Sequence, residues 1–101
     1  MASERDALPT EVALDQNFPN PFNPTTTVQF SLPRASRVTL NIYDSLGKHV
    51  RTLVSGDYLV GTHTAVWDGT NDQGKILASG VYFYTLSTGQ HKSQKKLLLL
   101  K

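Results

Sequence analysis

Residues Leu14 to Leu32, LDQNFPNPFNPTTTVQFSL, set a rigid, donor-poor segment directly against an alternating strand. Pro19, Pro21 and Pro24 each lock φ and lack a backbone N–H, and Asn20-Pro21 and Asn23-Pro24 are turn-initiating pairs, so no helix can run through them. The segment is expected to run extended into a β-domain. Phe18 and Phe22 are costly to leave in water, and one or both should anchor this polar, proline-rich stretch on the edge of a sandwich.

Beyond it the chain alternates. Val28, Phe30 and Leu32 are separated by polar residues, and Val38, Leu40 and Ile42 repeat the pattern after the turn Pro33-Arg34-Ala35-Ser36. Such a period of two marks half-buried strands, and the two are expected to pair as a hairpin. Asp44-Ser45-Leu46-Gly47 reads as a turn, with Gly47 supplying positive φ, before a strand over His49 to Val54. Gly56 and Gly61 should bracket the next connection. Thr62 to Trp67, Val81 to Leu86 and Lys95 to Leu100 read as further strands, and Asp68 to Gly74 is the densest turn signal. About six or seven short strands with no helical period and no internal repeat argue for an all-β fold, an antiparallel β-sandwich.

Within it, Gly80-Val81-Tyr82-Phe83-Tyr84 carries bulk on both faces, as expected of a central strand with one face on the opposite sheet and the other under a loop. The VYFY run is similar to the penultimate strand of immunoglobulin sandwiches, in which a tyrosine bonds back to the backbone at a corner. Val28, Phe30, Leu32, Val38, Leu40, Ile42 and Trp67 should share one core, with Trp67 at its centre.

At 101 residues, 39% apolar and 18% charged, the chain has room for one modest core. Met1 to Glu11 is polar and aperiodic and reads as a linker remnant, with the domain spanning residues 12–101. The longest apolar run, Leu97 to Leu100, falls far short of the roughly 20 residues of a membrane-spanning helix, and MASERDALPTE lacks the basic start and apolar middle of a signal peptide. The absence of cysteine excludes disulfides and thiolate metal sites. Charge is uneven: the chain is +2 overall, but Lys92, Lys95, Lys96 and Lys101 stand in an acid-free stretch from Gln90, which leaves −2 for everything before it.

Motifs for chemistry are lacking. There is no G-x-S-x-G elbow, H-E-x-x-H helix, Walker loop or dinucleotide fingerprint. His49, His63 and His91 lie on separate strands without neighbouring carboxylates and read as surface histidines, so neither an enzyme nor a cofactor is expected. Asp68, Asn71 and Asp72 offer oxygens of the kind Ca²⁺ takes, but their spacing departs from the D-x-[DN]-x-[DN]-G loop and Asx turns account for them. Tyr43, Tyr58, Trp67, Tyr82 and Tyr84 would suit a sugar or nucleic-acid platform; core bulk is the favoured reading, and no nucleic-acid partner is expected.

Taken in order, four blocks resemble a known family. LDQNFPNPFNPTTTVQFSLP, VTLNIYDSLGKHVRTLV, GTHTAVWDGTNDQGKILASGVYFYTL and KSQKKLLLLK together resemble a type IX secretion C-terminal sorting domain of the type A class, over about residues 12 to 101. The block WDGTNDQGKILASGVYFY is also similar to the immunoglobulin-like domain of the flagellar hook-cap protein. The PNPFNP opening and the lysine-rich terminal strand favour the first resemblance.

The resemblance implies an immunoglobulin-like sandwich of about seven strands that carries a delivery signal and no activity. Its implied partners are an N-terminal cargo domain, the type IX outer-membrane translocon and a sortase-like cysteine protease that attaches cargo to anionic lipopolysaccharide. The implied localisation is export to the periplasm, then the cell surface or medium. Recognition falls, by the same resemblance, on Gly80, Tyr82, Lys95, Lys96, Leu97, Leu98, Leu99, Leu100 and Lys101. Four consecutive leucines stand where that family usually has β-branched residues. The rivals are a carbohydrate-binding or adhesive accessory module and a hook-cap-like scaffold domain; a binding module should expose two or three coplanar aromatics, whereas a sorting domain should bury them.

Overall fold

The computed structural model describes residues 10–22 and 25–100. The chain forms seven strands, β1 (Ala13–Leu14), β2 (Thr26–Leu32), β3 (Ser36–Asp44), β4 (His49–Tyr58), β5 (Gly61–Trp67), β6 (Gly80–Ser87) and β7 (Lys92–Leu99). They make two sheets, ordered β1-β2-β5 and β4-β3-β6-β7, with every ladder antiparallel. The result is an immunoglobulin-like β-sandwich in which β4 joins the sheet of β3.

Alternation fills the core from both sheets. Val28, Phe30 and Leu32 face Val38, Leu40, Ile42, Tyr84 and Leu86 across the interior, all at 1% exposure or less, with Trp67 fully buried among them. The Trp67 ring packs against Phe22 at 5.4 Å and edge-on to Tyr82 at 5.5 Å. All seven residues assigned to one core, six by their period and Trp67 by its size, therefore meet there.

The expected hairpin does not form. β2 pairs with β1 and β5, while β3 pairs with β4 and β6, so the chain crosses between sheets at residues 33–35. The reason lies in the connection: a tight hairpin needs positive-φ turn residues such as Asn-Gly, and Pro33-Arg34-Ala35 supplies none. Gly56 also departs from expectation. It lies inside β4, opposite Val38, and only Leu59 and Val60 join β4 to β5. Ladder pairing with β3 outweighs the weak strand preference of one glycine.

The turn after β3 forms as expected. Gly47 takes φ +87° and donates to the Asp44 carbonyl at 3.0 Å, while Asp44 Oδ1 accepts from Leu46 N and Lys48 N at 2.9 Å each. β6 is central, flanked by β3 and β7. Its outer face is only half covered: Val81 is 37% exposed, and Phe83 is half-buried between its cross-strand neighbours Tyr43 and Lys96 rather than under a loop. β7 begins at Lys92 and ends at Leu99, against the expected Lys95 to Leu100.

The proline segment switches sheets. Phe18 bridges Thr27 of β2 in antiparallel fashion, and four residues later Phe22 bridges Leu99 of β7 in parallel. The run is not uniformly extended: it bends between Pro19 and Pro21, with cis peptides at Phe18-Pro19 and Asn20-Pro21. Of the two candidate anchors only Phe22 serves, at 1% exposure, whereas Phe18 is 78% exposed. Mutual backbone bonds with Thr27, at 3.0 and 2.9 Å, hold Phe18 on a strand position whose side chain turns outward. The readings made for Met1 to Pro9, Asn23-Pro24 and Lys101 lie outside the described residues.

Candidate interaction site

β7 is one of the two edge strands of the four-stranded sheet, and it carries most of the residues singled out for recognition. Its register with β6 decides where each points. Leu97 lies opposite Tyr82 and Leu99 opposite Gly80, and both leucines are buried in the core. Lys95 is half-buried on that same inward set, while Lys92, Gln94, Lys96 and Leu98 alternate onto the outer face. The four leucines are thus divided: Leu97 and Leu99 hold the domain together, and Leu98 and Leu100 remain partly accessible.

The outer edge of β7 is partly occupied by the chain itself. Gln16 Nε2 donates to the Lys96 carbonyl at 2.7 Å, Leu98 N donates to Asn20 Oδ1 at 2.9 Å, and Phe22 N and O bond Leu98 O and Leu100 N at 3.1 Å each. Residues 16–22 form a strap over the apolar half of this edge. Beside it, Asn20, Pro21, Val81, Lys96 and Leu98 line a shallow groove of about 300 Å³.

Two tyrosines of β6 hold this arrangement. Tyr82 Oη donates to the Ala78 carbonyl at 2.6 Å, the corner bond to backbone a few residues upstream that the VYFY pattern suggested. Tyr84 Oη donates to the Asp15 carbonyl at 2.7 Å and accepts from Asn17 N at 2.8 Å, which pins the base of the strap. Asn17 is itself buried, its Nδ2 donating to Thr26 Oγ1 at 2.9 Å and to the Pro19 carbonyl at 3.1 Å. Gln16, Asn17 and Thr26 escaped the sequence reading, and Asn20 entered it only as part of a turn-initiating Asn-Pro pair. The local signal was slight: amide side chains at Gln16, Asn17 and Asn20 beside prolines, and a hydroxyl at Thr26.

Burial pushes the Tyr84 phenol up to about 12, with the Asp15 charge adding to this and the Asn17 N–H bond opposing it. A raised folded-state value means stability is fully present below the unfolded phenol's value near 10 and is lost as pH rises through about 12. The expected loss is on the order of 2 kcal/mol over that window. Tyr84→Phe should remove this part of the alkaline decline while costing about 1–3 kcal/mol at neutral pH, because Asn17 N loses its acceptor. Denaturant titrations of both proteins at several pH values up to 12 check it; parallel pH curves would refute the coupling.

The loop from Asp68 to Gly74 is a set of Asx turns. Asp68 Oδ1 accepts from Thr70 Oγ1 at 2.6 Å and Thr70 N at 3.2 Å, and Asn71 Oδ1 accepts from Gln73 N and Lys75 N at 2.9 Å. Asp72 bonds β4 through Val50 O and Thr52 N, both at 3.0 Å. The Thr70 hydroxyl, and less strongly Arg51, hold the Asp68 carboxyl below its usual range. The aromatics do not form a stacking platform: Trp67, Tyr82 and Tyr84 are buried, and Tyr43 and Tyr58 meet His49 and His63 edge-on.

Sheet order, corner tyrosine and sheet-switching first segment define an immunoglobulin-like sandwich module. The chain belongs to the FlgD Ig-like domain family, whose model matches residues 20–92. It is 34% identical over 73 residues to the basal-body rod modification protein FlgD of Escherichia coli, covering 69% of this chain and 32% of that protein. It thus spans about a third of the curated relative's length.

Solved structures share the fold. Dimeric latent PorU from Porphyromonas gingivalis matches 88% of this chain and 9% of its own at TM-score 0.72 and 20% identity. FlgD from P. aeruginosa matches 90% of this chain and 67% of its own at TM-score 0.61 and 24% identity. PorZ of P. gingivalis, described as an essential bacterial surface component of the type-IX secretion system, matches 95% of this chain and 13% of its own at TM-score 0.58 and 16% identity.

Proposed function

We propose that residues 12–101 form a non-catalytic sorting domain that directs a fused cargo through the type IX outer-membrane translocon to the cell surface or medium, with residues 1–11 a linker remnant. The observation that carries this reading is β7, an acid-free edge strand with Lys92 and Lys96 on its outer face, beside the groove at Val81 and Leu98. Such an edge offers a protein partner main-chain pairing and attractive charge together. The partners in this reading are the translocon and a sortase-like protease, and Leu97, Leu99 and Tyr82 support the surface from within. Burial of Trp67, Tyr82 and Tyr84 supports it over a carbohydrate-binding module.

The test fuses residues 12–101 to a periplasmic reporter in a type IX-competent host. Surface arrival is expected, and Lys92→Glu with Lys96→Glu should slow it severalfold without lowering the melting temperature, since outer-face charges act mainly on encounter. Removing residues 95–101 would be a poor substitute, because it strips Leu97 and Leu99 from the core. A reporter that stays periplasmic although folded would sink the assignment.

A second reading, a hook-cap scaffold domain, is favoured by the 34% identity to FlgD. Under it, this domain in place of the matching part of E. coli FlgD should restore swimming, which a sorting domain has no reason to do.

A further inference from the structure

Three of the four edge strands in this sandwich are protected against pairing with a second copy of the chain, and one is not. β1 is two residues long. β4 is bulged against β3 and covered at Val50 and Thr52 by Asp72. β7 carries lysines and the strap. Short length, bulges, charge and coverage are the usual ways an edge is kept from joining another. β5, GTHTAVW, has none of these: it holds no Lys, Arg, Asp, Glu or Pro over seven residues.

The direction of its free backbone groups follows from register. Thr27 and Gln29 of β2 bond the first segment, through Phe18 and Asp15. Their even-numbered neighbours must therefore bond β5, which uses Gly61, His63, Ala65 and Trp67 as their partners. Thr62, Thr64 and Val66 are left with N–H and C=O turned away from the sheet. All three residues are exposed, Val66 at 61%, and among the described residues no hydrogen bond from another segment reaches their backbones.

We propose that β5 pairs with β5 of a second copy of this chain, antiparallel about a two-fold axis at Thr64, joining the two three-stranded sheets. In that register Thr64 meets the partner's Thr64, and Thr62 and Val66 meet the partner's Val66 and Thr62. Each of these pairs exchanges both main-chain bonds, more than a register shifted by one step to either side allows. Thr–Thr and Thr–Val neighbours suit cross-strand contact, and no like charges are brought together. Self-pairing of β7 would instead set Lys92 and Lys96 against lysines. On the inward side, His63 is held by the Leu59 carbonyl at 2.8 Å and by the rings of Phe30 and Tyr58, which leaves the edge clear.

Sedimentation equilibrium of the full chain from micromolar to millimolar concentration should show a monomer–dimer equilibrium. Thr64→Lys and Thr64→Glu should each raise the dissociation constant at least about tenfold, because like charges then face each other at the axis, and leave melting unchanged. An equimolar mixture of the two variants should regain association. As a second measurement, amide signals of Thr62, Thr64 and Val66 should shift with concentration in wild type and not in either variant. A wild-type chain monomeric throughout, a dimer indifferent to both variants, or a mixture that fails to recover would each overturn the proposal.

Discussion

Trp67→Ala is expected to remove a large share of the chain's stability and to lower its urea midpoint sharply. The side chain is fully buried between Phe22 and Tyr82, and its Nε1 donates to the Thr70 carbonyl at 2.8 Å. Truncating a buried tryptophan costs about 3–5 kcal/mol in transfer and cavity terms. Domains of this size hold only about 5–15 kcal/mol in total. The substitution also frees the base of the loop that Asp72 ties to β4, so the loss should exceed that of an isolated core cavity. Urea titration followed by tyrosine fluorescence measures it. A midpoint within error of wild type would mean that the core is not organised around this residue.

Deleting residues 12–24 should have an effect at least as large, and of a different kind. It removes Leu14 and Phe22 from the core, takes both partners from Tyr84 Oη, and uncovers Leu98 and Leu100 on the β7 edge together with the side of β2 that faces the strap. Loss of stability should come with association, because unpaired strand edges template further pairing. Phe22→Ala separates the two effects: it should cost about 3–5 kcal/mol while leaving backbone coverage by Asn20 in place. Thermal melts and size-exclusion elution distinguish the outcomes. A deletion variant that melts normally and elutes as wild type would show the segment to be a linker only.

The strap also narrows the surface that the proposed function leaves for recognition. The apolar half of the β7 edge is already paired within the chain, so under the proposed sorting function a partner would meet the lysine-bearing half, the outer face and the groove at Pro21. A translocon that needs the whole edge would have to displace residues 16–22 first.

Much of the molecule was legible in residue order because its signals are local. A period of two places Val28, Phe30, Leu32, Val38, Leu40 and Ile42 on buried faces whichever strands pair, since adjacent side chains on a strand must point to opposite sides. The Asp44 turn and the Asx loop at Asp68 to Gly74 were readable for a similar reason: a short side chain finds backbone donors two to four residues away. Tertiary structure alone decided the rest. Alternation states that β2 and β3 each have an apolar face, but not whether those faces lie side by side or across a core. KKLLLL has no alternation, so only register with β6 could divide Leu97 and Leu99 from Leu98 and Leu100. Nothing local separates Phe18 from Phe22, or marks Asn20 as a cap for Leu98. Those choices rest on pairing between segments, from Phe18 with nearby Thr27 to Gln16 and Asn20 with β7 about 80 residues on, where the geometry of closing the sandwich, not the preference of any one residue, selects the partner.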